Sequence, residues 1–365
     1  MPIYMDRHDL SKVTAEDVAK VHQEDIKIQD QFGCRGLTYW FDEKRGTAFC
    51  LIEAPEANAV KDMHNCAHGM IPTDIIEVDA QLVTAFLGRI DNPSSAKEER
   101  ELVIREAGLR TILITNPGNI SLLKAKAGKE KALSLLTSYK QLTRALSKKY
   151  DGREVNVVHD CFTLSFQRPE NAVSLAKELQ EAFSTDNQDE LSIKIGISAG
   201  DPVKQSPELF GEAIQLAKRL CALSTGGQII ISAETMDQLN SDWMQELQVE
   251  NIKQLNSDSE RFLNELIDIT ESMWDKTDFN IHQLERKLGM SKAQLYRKIT
   301  AVSDFSPNEF IKEFRLIKAL EALSKQSGNV SEVAYSCGFA SPSYFSKCFL
   351  ERFGILPSSL ARSEN

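Results

Sequence analysis

The chain has 365 residues, of which 42% are hydrophobic and 26% charged, and it carries a formal net charge of −10. One hydrophobic core rarely serves so long a chain, so two or three domains are expected, and the composition excludes a largely disordered protein. No apolar run approaches the ~18 residues of a membrane span, and the first residues lack a basic-then-apolar signal pattern, so a cytoplasmic protein without membrane contact is expected.

In chain order, the first stretch predicts strand, helix, hairpin, helix, strand. Residues 2–5 are β-prone and 15–31 have helical apolar spacing, while 37–41 and 47–52 flank the turn Asp42-Glu43-Lys44-Arg45-Gly46. Pro55 opens a second helix that Gly69 can end, and 74–78 forms a last strand, which gives a ferredoxin-like βαββαβ unit over residues 1–79. A linker or connecting helix is expected over 80–109, marked by the polar stretch 91–95 and the charge-rich stretch 97–101. A second α/β unit, 110–250, follows with strands at 111–115 and 191–199, a helix at 130–149 and a hairpin at 154–166. A short linker at 251–260 leads into an all-helical end, 261–365, so the fold class is multidomain α+β.

The first unit holds four of the six histidines. His64 and His68 stand four apart on one helix face and can approach one ion together; Cys50 lies near the end of a hairpin strand, His22 on the other helix, and His8, Cys34 and Cys66 are near in sequence. Imidazole with thiolate suits nickel, zinc or copper, although buried Cys is also common core filler. The seven scattered cysteines of the chain fit reduced thiols better than a disulfide framework. The phrases Pro2-Ile3-Tyr4-Met5-Asp6, Tyr39-Trp40-Phe41-Asp42-Glu43, Phe49 through Pro55 and His64 through Gly69 resemble a small bacterial family of ferredoxin-like nickel-binding proteins. The resemblance implies a metal site at His22, Cys50, His64 and His68, with Cys34 and Cys66 as additions that leave the metal open.

The second unit resembles class III nucleotide cyclases through Arg110 to Thr115, Gly152-Arg153-Glu154-Val155, His159-Asp160-Cys161-Phe162, Ile193 to Gly200, Phe210-Gly211 through Leu220, and Gly227 to Ser232. Such enzymes hold two metal ions with two carboxylates. The resemblance puts Asn116 at the first carboxylate position and Asp160 at the second, His159 and Cys161 where glycines flank it, Gln215 for an asparagine, and retains Arg219. Neutral Asn is a poor metal ligand, so the unit is expected to keep the fold without the reaction. Asn116, Asp160, Gln215 and Arg219 remain a ligand-pocket candidate, with a surface ion-pair role as the alternative. Pairing of such domains implies a homodimer through this unit.

In the last unit, residues 281–288 form a short amphipathic helix, Gly289-Met290 a turn, and Ser291 caps a second helix from Lys292. The same pattern returns at 330–349, where Ser341 is the cap and Pro342 the first helical residue, with a long helix, 307–323, between the two motifs. Two helix-turn-helix motifs at fixed spacing suit successive turns of one DNA groove. Lys and Arg number 14 against 13 acidic residues from Arg261 to Asn365 and 29 against 40 elsewhere, so negative charge lies away from this end. Phe305 to Ile311, Glu332-Val333-Ala334 through Gly338-Phe339, and Phe353 to Ser358 resemble the DNA-binding domain of AraC-family regulators, over about a hundred residues.

Base contacts are expected from Lys292, Gln294, Leu295 and Arg297 in the first motif and from Ser343, Tyr344, Ser346 and Lys347 in the second, with phosphate contacts from Lys298 and Arg352. Leu295, Phe345 and Phe349 read better as core. The assembled expectation is a transcription regulator that binds double-stranded DNA, controlled by nickel, another transition metal or a small effector. A DNA-tethered cyclase and a metal-storage module are the alternatives.

Overall fold

The computed structural model describes residues 1–93, 103–183, 191–224, 227–240, 243 and 251–362. The stretch 97–101 that marked the linker lies outside them. The first unit comprises β1 (Ile3–Asp9), α1 (Ala15–Ile28), β2 (Arg35–Asp42), β3 (Thr47–Glu53), α2 (Ala57–Ala67) and β4 (Asp74–Val78). Its antiparallel sheet runs β2-β3-β1-β4, the ferredoxin-like order. Thr14 and Asp17 cap α1 reciprocally, and Gly46 (φ +64°) closes the hairpin where a Cβ would lie 2.1 Å from the Leu10 carbonyl oxygen.

Residues expected to be linker form α3 (Ala80–Leu87), started by the Asp79 side chain accepting from the Gln81 and Leu82 amides. Its Val83, Phe86 and Leu87, at helical spacing, are buried with Met5, Trp40 and Phe49 of the first sheet and Ile112, Ile114 and Phe210 of the second unit. The expectation of a linker or connecting helix left open what the apolar face packs on, because nothing local announces the sheets that cover it.

The second unit contains β5 (Arg110–Asn116), α4 (Ile120–Ala127), α5 (Lys129–Lys149), β6 (Arg153–Val158), β7 (Cys161–Phe166), α6 (Pro169–Ala182), β8 (Lys194–Gly200), α7 (Gly211–Leu223), β9 (Ile229–Ile231), α8 (Ala233–Gln238) and β10 (Ile252–Gln254). The sheet order is β10-β9-β8-β5-β7-β6, so β8-β5-β7-β6 repeats the wiring of the first sheet, extended by two parallel strands. α5 and α6 cover one face. α3, α7 and the first unit cover the other.

Residues 252–254, expected to be linker, are the edge strand β10, and Leu255 is buried with the helices that follow. Those helices are Ser257–Glu271, Ile281–Leu288, Lys292–Ser303, Pro307–Ser324, Val330–Ser336, Pro342–Phe353 and Pro357–Arg362. They build two cores. The first joins Phe262, Leu266, Leu284, Leu295 and Ile299 to Leu220 of α7 and Ile230 of β9. The second joins Leu316, Val333, Phe345 and Phe349, with Leu122 and Ala125 of α4 packed against it. Among the described residues, no helix is long and apolar enough to cross a membrane.

Candidate metal centre and nucleic-acid interface

β-strand alternation places Asp6 and His8 on the face of β1 that looks at the helices, with Met5 and Arg7 on the other. α1 contributes His22 and Asp25 one turn apart, α2 contributes His64 and His68, and β3 contributes Cys50. All but His68 are buried. His64 is the hub: its Nε2 lies 2.8 Å from Asp6 Oδ2, and its Nδ1 lies 3.0 Å from Asp25 Oδ1 and 3.2 Å from His68 Nε2. His8 Nε2 is 3.4 Å from Asp6 Oδ1, and His68 Nε2 is 3.0 Å from Asp25 Oδ1. Asp6, His8 and His64 each offer one ligand atom within 4.8 Å of the others, and so do Asp25, His64 and His68.

Of the four residues singled out from sequence, two meet directly and the other two lie beside the same carboxylates. His64 and His68 meet, whereas Cys50 joins through its amide, which donates to Asp6 Oδ1 at 3.0 Å, and His22 packs its ring against Tyr39. Asp6, His8 and Asp25 complete the cluster. Period-two spacing of Asp6 and His8 and the His22–Asp25 turn were visible in the sequence, but that two carboxylates would be buried was not.

Buried carboxylates are costly unless paired. Burial works against the charge on Asp6, but His8 and His64 outweigh it and hold the carboxyl far below its ordinary value; His64 and His68 do the same, less strongly, for Asp25. Burial also works against a charged His64, yet Asp6 and Asp25 push it up to about 10. Burial pushes His22 down to about 4, leaving a neutral imidazole whose Nε2 has no partner among the described residues. Burial beside Asp6 and Asp25 pushes the Cys50 thiol well up. Carboxylate oxygens, several imidazoles, a thiol and an orphaned ring nitrogen form a donor set that fits nickel or zinc.

In the second unit the carboxylate positions are engaged otherwise. Asn116 Oδ1 accepts from the Gly118 amide at 2.7 Å. Asp160 sits in a tight turn with left-handed backbone at His159 and Asp160, and Lys140 of α5 binds it at 2.5 Å. Gln215 is exposed on α7. Arg219 is buried and donates to Asn264 at 2.5 Å and to Asp268, both in helix Ser257–Glu271 of the last unit. Each of these polar groups except exposed Gln215 thus has a partner within the protein.

The last unit presents two second helices capped by Ser291 and Ser341. Lys292, Tyr296, Arg297 and Lys298 are exposed on the first, while Leu295 is fully buried. Gln294 Oε1 accepts from the Ser291 amide and hydroxyl, each at 3.0 Å, so its carbonyl serves the cap in the DNA-free chain. Ser343, Tyr344 and Lys347 are exposed on the second helix, Ser346 is half-buried, and Phe345 and Phe349 are core. Arg352 is held by both Glu313 carboxylate oxygens at 2.7–2.8 Å, and Lys298 lies over the Phe262 ring at 5.1 Å. Those contacts compete with the phosphate roles expected for both. Six residues beyond each cap stand Arg297 and Lys347, and four beyond each stand the buried Leu295 and Phe345. Exposed Tyr296 was missed because an aromatic residue on a short helix reads as core.

Three family models match in chain order: "Nickel responsive protein SCO4226-like" over residues 4–78, "Adenylate and Guanylate cyclase catalytic domain" over 111–263, and "Helix-turn-helix domain" over 284–363. In the third segment the chain is 34% identical over 95 residues to the HTH-type transcriptional regulator GbdR of Pseudomonas aeruginosa, and 34% identical over 95 residues to the HTH-type transcriptional regulator MtrA of Neisseria gonorrhoeae. The C-terminal segment is an AraC-type helix-turn-helix domain. The aligned part is 26% of this chain in both cases and covers 26% of GbdR and 30% of MtrA. "Histidine kinase P4" of Formosa agariphila is 38% identical over 104 residues, 28% of this chain and 8% of that protein. The chain thus spans under a third of these curated relatives. Among solved structures, SCO4226 from Streptomyces coelicolor is 31% identical, covering 21% of this chain and 94% of that one, with TM-score 0.20. Adenylate cyclases from Trypanosoma brucei in their monomeric state are 19% identical, covering 38% of this chain and 80% of that one, with TM-score 0.34. The AraC-type domain here therefore follows a nickel-responsive-like unit and a cyclase-like unit in one chain.

Proposed function

We propose that the protein is a sequence-specific transcription regulator whose hold on double-stranded DNA is set by a transition metal, nickel first, at the Asp6–Asp25–His64 centre. The carrying observation is strand β1. Its Asp6 and His8 face the metal centre while Arg7, between them, reaches across to Asp201 Oδ2 and the Val203 carbonyl oxygen of the second unit, both at 3.1 Å. Arg45 joins the same carboxylate at 3.3 Å. At the far side of the second unit, Arg219 grips the first helix of the last unit. Asp6, Asp25, His8, His64 and His68 would hold the ion, which would supply a fixed positive charge there. His8, His64 and His68 orient those carboxylates, Cys50 N–H anchors Asp6 to β3, and His22 offers a neutral nitrogen. Coupling requires only that the ion bind the DNA-competent arrangement unequally.

On this reading the cyclase-like unit is a bracket between sensor and reader and does no chemistry, which the Lys140–Asp160 pair and the diverted Arg219 support. A cyclase tethered to DNA would need both free. Fluorescence anisotropy tests the proposal: full-length protein, stripped of metal, is titrated onto a duplex enriched from random sequence, at fixed salt, with nickel, zinc or copper added in turn. Nickel is expected to move the affinity by about 5–150-fold, the usual range of allosteric coupling, and His64→Ala with His68→Ala to abolish the shift. Metal binding that leaves DNA affinity unchanged would instead favour a storage role.

A further inference from the structure

Arg315 lies near the middle of helix Pro307–Ser324, which joins the two helix-turn-helix motifs. Its guanidinium is turned to three backbone carbonyl oxygens: Nε donates to Trp274 at 2.8 Å, and Nη2 donates to Lys276 at 2.6 Å and Phe279 at 3.3 Å. Residues 274–279 lead into the first motif, whose opening helix starts at Ile281. The same guanidinium abuts the second motif. Gly338, in that motif's turn, has φ +74°, and a Cβ there would lie 2.7 Å from the Trp274 carbonyl oxygen and 2.8 Å from Arg315 Nε. The Trp274 ring packs into the second motif's core and stands 6.3 Å from Phe314.

One side chain therefore meets the entry to the first motif, the connecting helix and the turn of the second motif. The connecting helix alone fixes the distance between the motifs but leaves bending and twist about its axis. A brace from mid-helix to both sides removes that freedom. Arg315 makes no ion pair among the described residues, so its charge is committed to carbonyls that a planar fork can reach in different directions and a lysine ammonium cannot. We propose that Arg315 is a positioning residue that fixes the two recognition helices relative to each other, and with them the spacing of half-sites one chain accepts.

The proposal rests on the DNA-binding reading, and its test separates the two. Wild-type full-length protein first enriches a bipartite duplex from random sequence; wild type, Arg315→Lys and Arg315→Met are then compared on that duplex and on versions with one base pair inserted or deleted between the halves. Wild type is expected to lose at least about tenfold in affinity on changing the spacing, the scale of one lost base contact. Both variants are expected to bind all spacings within about threefold of one another. Ser291→Ala, which weakens a cap away from the brace, should keep the wild-type preference. In parallel, spin labels on ketone-bearing residues at Lys287 and Tyr335 report the distance between motifs, expected to be one narrow population in wild type and broad in Arg315→Met. Retained spacing preference with a narrow distance in Arg315→Met overturns the proposal. If wild type enriches no sequence, the DNA-binding reading falls, and a narrow distance in Arg315→Met then refutes the brace without reference to DNA.

Discussion

Leu220 lies on α7, fully buried, in a core that it and Ile230 of β9 share with the helix-turn-helix unit: Phe262, Leu263 and Leu266 on one helix, Leu284 on the next, Leu295 and Ile299 on the first recognition helix. Leu220→Ala therefore opens a cavity at the joint between bracket and reader. Leu→Ala costs about 2–5 kcal/mol according to how far the walls collapse. Collapse is restricted here because α7 is already pressed against β8: a Cβ on Gly196 would lie 2.3 Å from the Ala217 carbonyl oxygen and 2.3 Å from the Cys221 amide. A loss of about 3–4 kcal/mol is expected. Urea unfolding followed by tryptophan fluorescence would show it, since Trp274 reports on the helical unit. The loss should appear as an earlier transition of the helical unit and should weaken any nickel effect on DNA affinity. A change below about 1 kcal/mol, ordinary for a surface site, would show that the helical unit does not dock on α7 in solution, and the proposed route from metal to DNA would lose its last joint.

Gly338→Ala forces a side chain into left-handed backbone and against the Trp274 carbonyl, so a loss of about 2–3 kcal/mol and a lower melting temperature are expected; an unchanged melt would refute the packing described for that turn. Arg297→Ala and Lys347→Ala should each relax preference at one base pair at a cost of about 1–3 kcal/mol, read by competition among single-base variants of the enriched duplex. Uniform weakening across all variants, with a reduced salt slope, would reassign them to phosphates. Wild type and Lys140→Met should both release no pyrophosphate from ATP or GTP with magnesium or manganese, because freeing Asp160 still leaves neutral Asn116 at the other position; measurable turnover in either would restore the enzyme reading. Ser291→Ala should cost about 1 kcal/mol in thermal unfolding through loss of the reciprocal cap with Gln294, and no loss would place Gln294 back among the base readers.

Local chemistry was legible in the sequence wherever it was enough to decide structure. The strand and helix order of the ferredoxin-like unit, the Ser291 and Ser341 caps and the glycines closing Gly46 and Gly289 turns depend on period, cap and φ, all of which act over a few residues. The histidine pair on α2 was readable for the same reason, whereas the reading of Asn116 came from the resemblance to nucleotide cyclases. Burial and partnership came only with the tertiary structure, because both depend on residues far apart in the chain. Asp6 and Asp25 read as ordinary acidic residues until β1, α1 and α2 close around His64. Arg219 read as a pocket candidate or an ion-pair residue and Arg352 as a phosphate contact, but the partners, Asp268 and Glu313, lie far off in the chain. The segment 80–87 read as linker or connecting helix; the sequence specifies that its face is apolar, and only the packed chain specifies what covers it.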